Sequence, residues 1–449
     1  MVLIGTPDMA TILIAAGSTP GHINPALKIA RALQSNGHRI HFWGFLDAEE
    51  PIREEGFDFV PLFPDLFPKG DLREASSLRT RRDRWGQLRH MHRHVGRLKR
   101  MMNAMLAGEL DGVFQQLRPD LFLCDVIERD LPLIAHGNGV PTVLVNTTVP
   151  AEPPRQPGPS SRSPGAWGAV RAGLRRMLVQ AGVALGIIPP TTEFLTKLAR
   201  KYGHPADDGD EARRSLLSNT PRVVLCPGEF VQTGVTPRPE TLHFLGPCIA
   251  LDRQEPDFDW TRLQEGRPLI LVALGSVPFV LKRHQDFLRV LGDAAARRPD
   301  WQFVVSAGPL TDLKLLERGA PNIIAASELP QLKLLQRATA MVTHCGFNST
   351  KEAIYFGVPM VALPFQNDQP RVARLVTHHG LGVRGSPFDV TGEGLVALLD
   401  EVTTKPGYRQ AVQAMSARFR EAESPLEVAS TLERLLGEAR PVRAHDAGR

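Results

Sequence analysis

The sequence predicts an α/β protein built from two doubly wound units, each a parallel sheet flanked by helices. Three observations carry that expectation. The 449 residues exceed one ordinary core and fit two of about 200 each. Short apolar runs alternate with helix-period segments twice over, first from Thr11 and again from Leu269. A Pro- and charge-rich segment between Gly246-Pro247 and Gly266 separates the two sets. The expected organisation is therefore a first domain over 1–246, a linker over 247–266 and a second domain over 267–449.

In the first set, Thr11 to Ala16 reads as a buried strand and Gly17 to His22 as a loop. Pro25 is expected in the first turn of a helix whose inner face carries Ala26, Leu27, Ile29, Ala30 and Leu33, with Gly37 ending it. Arg39 to Trp43 follows as a strand, completing a βαβ unit that lacks GxGxxG and so does not favour a dinucleotide. Residues 72–106 are strongly basic, and Leu88, Met91, Val95, Leu98 and Met101 give them one apolar helical side. Further strands are expected at Asp120 to Cys124, Thr142 to Val145 and Arg222 to Cys226. Residues 149–165 read as a Pro/Ser/Gly-rich flap, followed by helices near 166–185 and 191–203.

The second set begins with a strand at Leu269 to Leu274, ending in Gly275-Ser276. A helix over 284–298, strands at Gln302–Ala307 and Asn322–Ala325, and closing helices near 407–421 and 425–438 complete it. Between them, from Glu328 to Gly380, lies the chemically densest stretch of the chain. Ala340 to Thr343 reads as a strand ending at His344, with Gly346 as a tight turn. Asn348, Ser349 and Thr350 are placed to cap the next helix, which ends at Gly357 and Pro359. Val358 to Leu363 reads as a parallel strand buried on both faces. A strand, turn and helix N-terminus offer free N–H groups to an anion. His344 adds a donor, Glu352 suits a diol such as a ribose, and Asp368-Gln369 suits sugar hydroxyls. Phosphate, ribose and sugar together describe a nucleotide sugar.

The same stretch resembles the donor-binding signature of the family 1, UDP-dependent glycosyltransferases. Pro330-Gln331, Thr343-His344-Cys345-Gly346-Phe347-Asn348-Ser349-Thr350-Lys351-Glu352-Ala353, Gly357-Val358-Pro359 and Asp368-Gln369 match it over about fifty residues. The resemblance implies the GT-B architecture, two Rossmann-like domains facing across a cleft, with the last helix crossing back onto the first domain. It also implies that Gln331 approaches the base, Glu352 the ribose, and Asp368 with Gln369 the sugar. His344, Ser276 and the backbone near Gly346, Asn348 and Ser349 would hold the diphosphate. At the position where the family usually stacks a Trp on the base, this chain has Glu328. The run Asp368-Gln369-Pro370 with His379-Gly380-Leu381-Gly382 is similar to the zeaxanthin-type group of macrolide, flavonoid and carotenoid enzymes.

His22 follows the first strand just ahead of a helix N-terminus, a dipole position expected to disfavour imidazolium and keep a free base near neutral pH. In the resembled family a Gly-His-x-x-Pro after strand one carries the catalytic base, and Gly21-His22-Ile23-Asn24-Pro25 matches it. Asp125 is the expected orienter of that ring, with Asp120 and Asp130 as competitors. A base with no nucleophile opposite the sugar predicts a single in-line, inverting displacement onto an alcohol. Few Tyr and many aliphatic residues in the first domain suit a hydrophobic acceptor. An epimerase or a lipid-linked sugar transferase on the same fold is the alternative.

Composition bounds the rest. A net charge of +5 is modest, and the basic stretch is nearly free of aromatics, which argues against nucleic acid. That stretch reads first as a solvated helix face and second as a weak contact with an anionic membrane surface. Cys124, Cys226, Cys248 and Cys345 form no CxxC pair and are expected as reduced thiols in a cytoplasmic enzyme. No apolar run reaches the ~18 residues of a spanning helix. The triplets Asp208-Gly209-Asp210 and Asp257-Phe258-Asp259 lie in polar connections rather than after strands. No metal and no cofactor beyond a UDP- or dTDP-sugar co-substrate are expected.

Overall fold

A computed structural model of the chain describes residues 9–71, 84–150, 191–204, 219–232, 241–275, 281–308, 316–317 and 320–439. The first unit is a seven-stranded, all-parallel sheet of β1 (Thr11–Ala15), β2 (Arg39–Gly44), β3 (Asp58–Pro61), β4 (Leu121–Asp125), β5 (Thr142–Asn146), β6 (Arg222–Leu225) and β7 (Leu242–Leu245) in the order β3-β2-β1-β4-β5-β6-β7. The second is a six-stranded parallel sheet of β8 (Leu269–Ala273), β9 (Gln302–Ser306), β10 (Ile323–Ala326), β11 (Ala340–Thr343), β12 (Met360–Ala362) and β13 (Gly382–Arg384) in the order β10-β9-β8-β11-β12-β13.

Strands covered on both faces read as continuous apolar runs, and their side chains divide with period two. From β1, Ile12 and Ile14 enter one core with Ile29 and Leu33, whereas Leu13 and Ala15 enter another with Met105 and Phe114. From β8, Leu271 and Ala273 pack toward Met341 and Val376, and Ile270 and Val272 toward Phe287 and Leu291. The last helix, Pro425–Ala439, leaves its own unit and buries Val428, Leu432 and Leu435 in the core of the first.

Several expectations shift. The first helix begins at Pro20, not after His22, so Pro25 lies inside it and His22 in its first turn. The short strands β3, β7 and β13 and the helix Gly392–Thr404 were not apparent from the sequence. Residues of the expected linker pack on the second unit: Phe258 and Trp260 against its core, and Gln264 exchanging hydrogen bonds with Gln302. Of the basic stretch, Arg84–Ala107 is helical with Val95, Met102 and Met105 buried, and Arg97 turns inward to Asp71 at 2.5 Å. Residues 72–83, most of the expected flap, the expected helix over 166–185 and the Asp208–Asp210 triplet lie outside the described residues. Asp259 spends its carboxylate capping Thr261. Among the described residues no helix is long and apolar enough to cross a membrane.

Candidate active site

In an open parallel sheet, ligands sit beyond the carboxyl ends of the strands where the strand order reverses. The first sheet reverses between β1 and β4, and His22 and Asp125 come from those two strand ends. The second reverses between β8 and β11, where Gly275 and His344 meet. Among the described residues, hydrogen bonds join the units across the cleft. The Asn348 side chain donates to the Gly21 carbonyl, and the Val149 N–H donates to Asp368 at 3.4 Å.

His22 Nδ1 lies 2.7 Å from Asp125 Oδ2, and Asp125 is almost wholly buried. The Thr147 hydroxyl lies 2.8 Å from the same nitrogen and donates to the carboxylate at 2.9 Å. Asp125 also accepts from the Ile127 N–H, which fixes its plane. With Nδ1 committed to a carboxylate, that nitrogen carries the proton and Nε2 is left as the acceptor. Asp120 is engaged elsewhere, with the Thr11 N–H. A small crevice, with room for about one water, lies beside the ring, lined by Ile14, Ala26, Ile29 and Val145 together with His22 and Thr147.

The electrostatics correct one expectation. Burial lowers the imidazole's pKa, but the hydrogen bond and charge of Asp125, with Glu128 and Asp368 behind it, outweigh that, and the net shift is upward. Against burial, these carboxylates favour the charged form of the ring. Glu128 was missed in the sequence. Half-buried in the loop after β4, it is pushed up to about 7 by desolvation and by Asp125 and Asp130. Thr147 was missed as well, although its place just past β5, the strand beside β4, was a usable signal.

On the second unit, the helix Phe347–Tyr355 starts at Gly346 and carries no side-chain cap, contrary to expectation. Thr350 is buried, and Asn348 reaches across the cleft instead. His344 Nδ1 lies 3.3 Å from the Ala273 carbonyl, and burial holds its pKa below the usual value. A Cβ at Gly275 or Gly346 would stand 2.9 or 2.5 Å from its Nε2, so both glycines are needed for the ring to fit. The Gln331 amide donates to Glu352 Oε2 at 2.5 Å and to Ser349 at 3.4 Å. Glu352 also receives Arg253 from the linker, a partner the sequence did not reveal. Gln369 turns its carbonyl back to the Phe365 and Gln366 N–H groups, leaving its amide as donor. Asp368 has its pKa raised by burial, against the opposing effect of the Val149 N–H and the His22 charge. Glu328 is exposed, and Ser276 lies outside the described residues.

Residues 298–435 match the family described as Erythromycin biosynthesis protein CIII-like, C-terminal domain. Over 95% of the chain and 99% of the relative, the sequence is 24% identical to an uncharacterized UDP-glucosyltransferase, YdhE, of Bacillus subtilis. It is likewise 24% identical to the demethyllactenocin mycarosyltransferase of Streptomyces fradiae, over 97% of this chain and 88% of that one. The solved structure of the glycotransferase of kitacinnamycin superimposes with a TM-score of 0.70 at 23% identity, covering 96% of this chain and all of that one. The two facing parallel sheets are the GT-B architecture.

Proposed function

We propose that this GT-B glycosyltransferase moves a hexose from a UDP- or dTDP-sugar to a hydroxyl of a hydrophobic natural product, with inversion and without a required metal. The observation that supports it most is the Thr147–Asp125–His22 relay at the first switch point, facing Asp368 of the second unit. His22 Nε2 takes the acceptor's proton as its oxygen attacks the anomeric carbon, and Asp125 holds the tautomer and stabilises the imidazolium. Asp368 and the Gln369 amide position the sugar. The uncapped helix at Gly346 stabilises the leaving diphosphate through its fixed N–H donors, and His344 beside it adds a donor when protonated. Acceptor chemistry fits a partly apolar wall: Ile127 packs over Gly17 at the mouth, 40% exposed. A UDP-glucosyltransferase and a demethyllactenocin mycarosyltransferase among the similar proteins agree with a sugar-transferring reading.

Incubation with UDP-glucose or dTDP-glucose and a panel of phenolic and macrolide alcohols, read by mass spectrometry and NMR, tests the reading. A β-glycoside is expected. An α-glycoside would refute inversion, and an epimerised donor without glycoside would favour the epimerase alternative.

A further inference from the structure

The linker reaches the expected ribose site. Arg253 Nη1 donates to Glu352 Oε1 at 2.5 Å and Nη2 to Oε2 at 3.4 Å, and Gln331 fills Oε2 again at 2.5 Å. A carboxylate offers about four lone-pair directions, and three are taken. A ribose gripped by its 2′- and 3′-hydroxyls needs one free direction on each oxygen. Glu352 has only one remaining, on Oε1, enough for a single hydroxyl.

Arg253 is not placed to step aside. Its side chain is 19% exposed, Glu352's is 7% and Glu255's is 4%. Glu255 lies 3.5 Å from Arg253 and accepts from the Leu332 and Lys333 N–H groups, 2.7 and 3.2 Å away. Releasing the guanidinium would strand a buried carboxylate.

We propose that Arg253 is a specificity-determining residue: by occupying Glu352 it leaves room for one ribose hydroxyl, which the 3′-hydroxyl common to both sugars can fill, so that 2′-deoxyribonucleoside diphosphate sugars are accepted on equal terms with ribonucleoside ones. The inference rests on the nucleotide-sugar reading and deepens it.

UDP and dUDP differ only in the 2′-hydroxyl, and calorimetric titration of the full-length protein with each measures its worth. The wild type is expected to bind the two within about twofold, because no hydrogen bond to the 2′-hydroxyl is made. Arg253→Met keeps the apolar stem and frees Glu352, so UDP should then be favoured over dUDP by about tenfold, the worth of one hydrogen bond to a charged group. The ratio is internal to each protein and is insensitive to general loss of stability. A wild type that already prefers UDP about tenfold overturns the proposal without any variant. So does an unchanged ratio in Arg253→Met. If neither nucleotide binds while the protein is folded by circular dichroism, the nucleotide-sugar reading falls and takes this inference with it.

Discussion

At the scale of single residues, the upward shift of His22 has a sign that can be followed. A general base acts only when neutral, so kcat/KM should rise with pH through an acidic limb placed above 6.5, the imidazole's ordinary value. Asp125→Asn leaves burial in place and removes the largest opposing influence, so the limb should move to lower pH while turnover falls roughly a hundredfold to ten-thousandfold. A limb that stays put in Asp125→Asn would detach it from His22. His22→Ala should abolish turnover to the same extent with UDP affinity unchanged. His344 predicts the opposite behaviour for binding. Its Nδ1 proton serves the Ala273 carbonyl, so Nε2 becomes a donor to phosphate only as imidazolium, which burial disfavours. UDP affinity should therefore weaken as pH rises above the ring's lowered pKa, by up to about tenfold per unit, with proton uptake on binding. His344→Gln, whose amide donates at any pH, should flatten that dependence. A flat wild-type profile would mean that the ring donates in its neutral form.

At the scale of elements, the most telling departure is the last helix. Leu432 is wholly buried among residues of the first unit although it follows the second in sequence. Leu432→Ala should cost about 2–5 kcal/mol in urea unfolding. The loss should appear in first-unit probes such as Trp43, itself buried in that unit. An effect confined to probes of the second unit would contradict the packing. This helix also marks how far elements were legible. Strands buried on both faces, such as Ala340–Thr343, announced themselves by unbroken apolar runs and were placed to within a residue or two. No unbroken apolar run marks β3, β7 or β13, which are interrupted by Asp58 and Pro61, by His243, and by Gly382 and Arg384. The start of the first helix was misplaced because Pro25 looked like an N1 proline. Pro20 holds that position instead, with Thr19 ahead of it. Of the candidate site, His22, Asp125, His344 and Asp368 stood out in the sequence as unusual residues at strand or helix ends, and Glu352 as one a turn into its helix. Arg253 was not, since a linker arginine carries no local signal of the carboxylate it will find 99 positions away.

At the scale of the whole molecule, the same proline links the two halves. In a helix the N–H of residue 25 would bond the carbonyl of residue 21, but Pro25 has no N–H. The Gly21 carbonyl is thus left open, and Asn348 of the second unit donates to it across the cleft. Pro25→Ala restores a competing donor within the first helix without touching the donor-binding face. It should leave UDP affinity and thermal midpoint unchanged or slightly improved. If the Gly21–Asn348 contact holds His22 toward the sugar, transfer should slow about twofold to tenfold, the range of one intramolecular hydrogen bond. If Pro25→Ala instead weakens UDP binding, Asn348 acts on the nucleotide rather than on closure. If transfer and binding are both unchanged, the contact between Gly21 and Asn348 does not hold the halves together during the reaction.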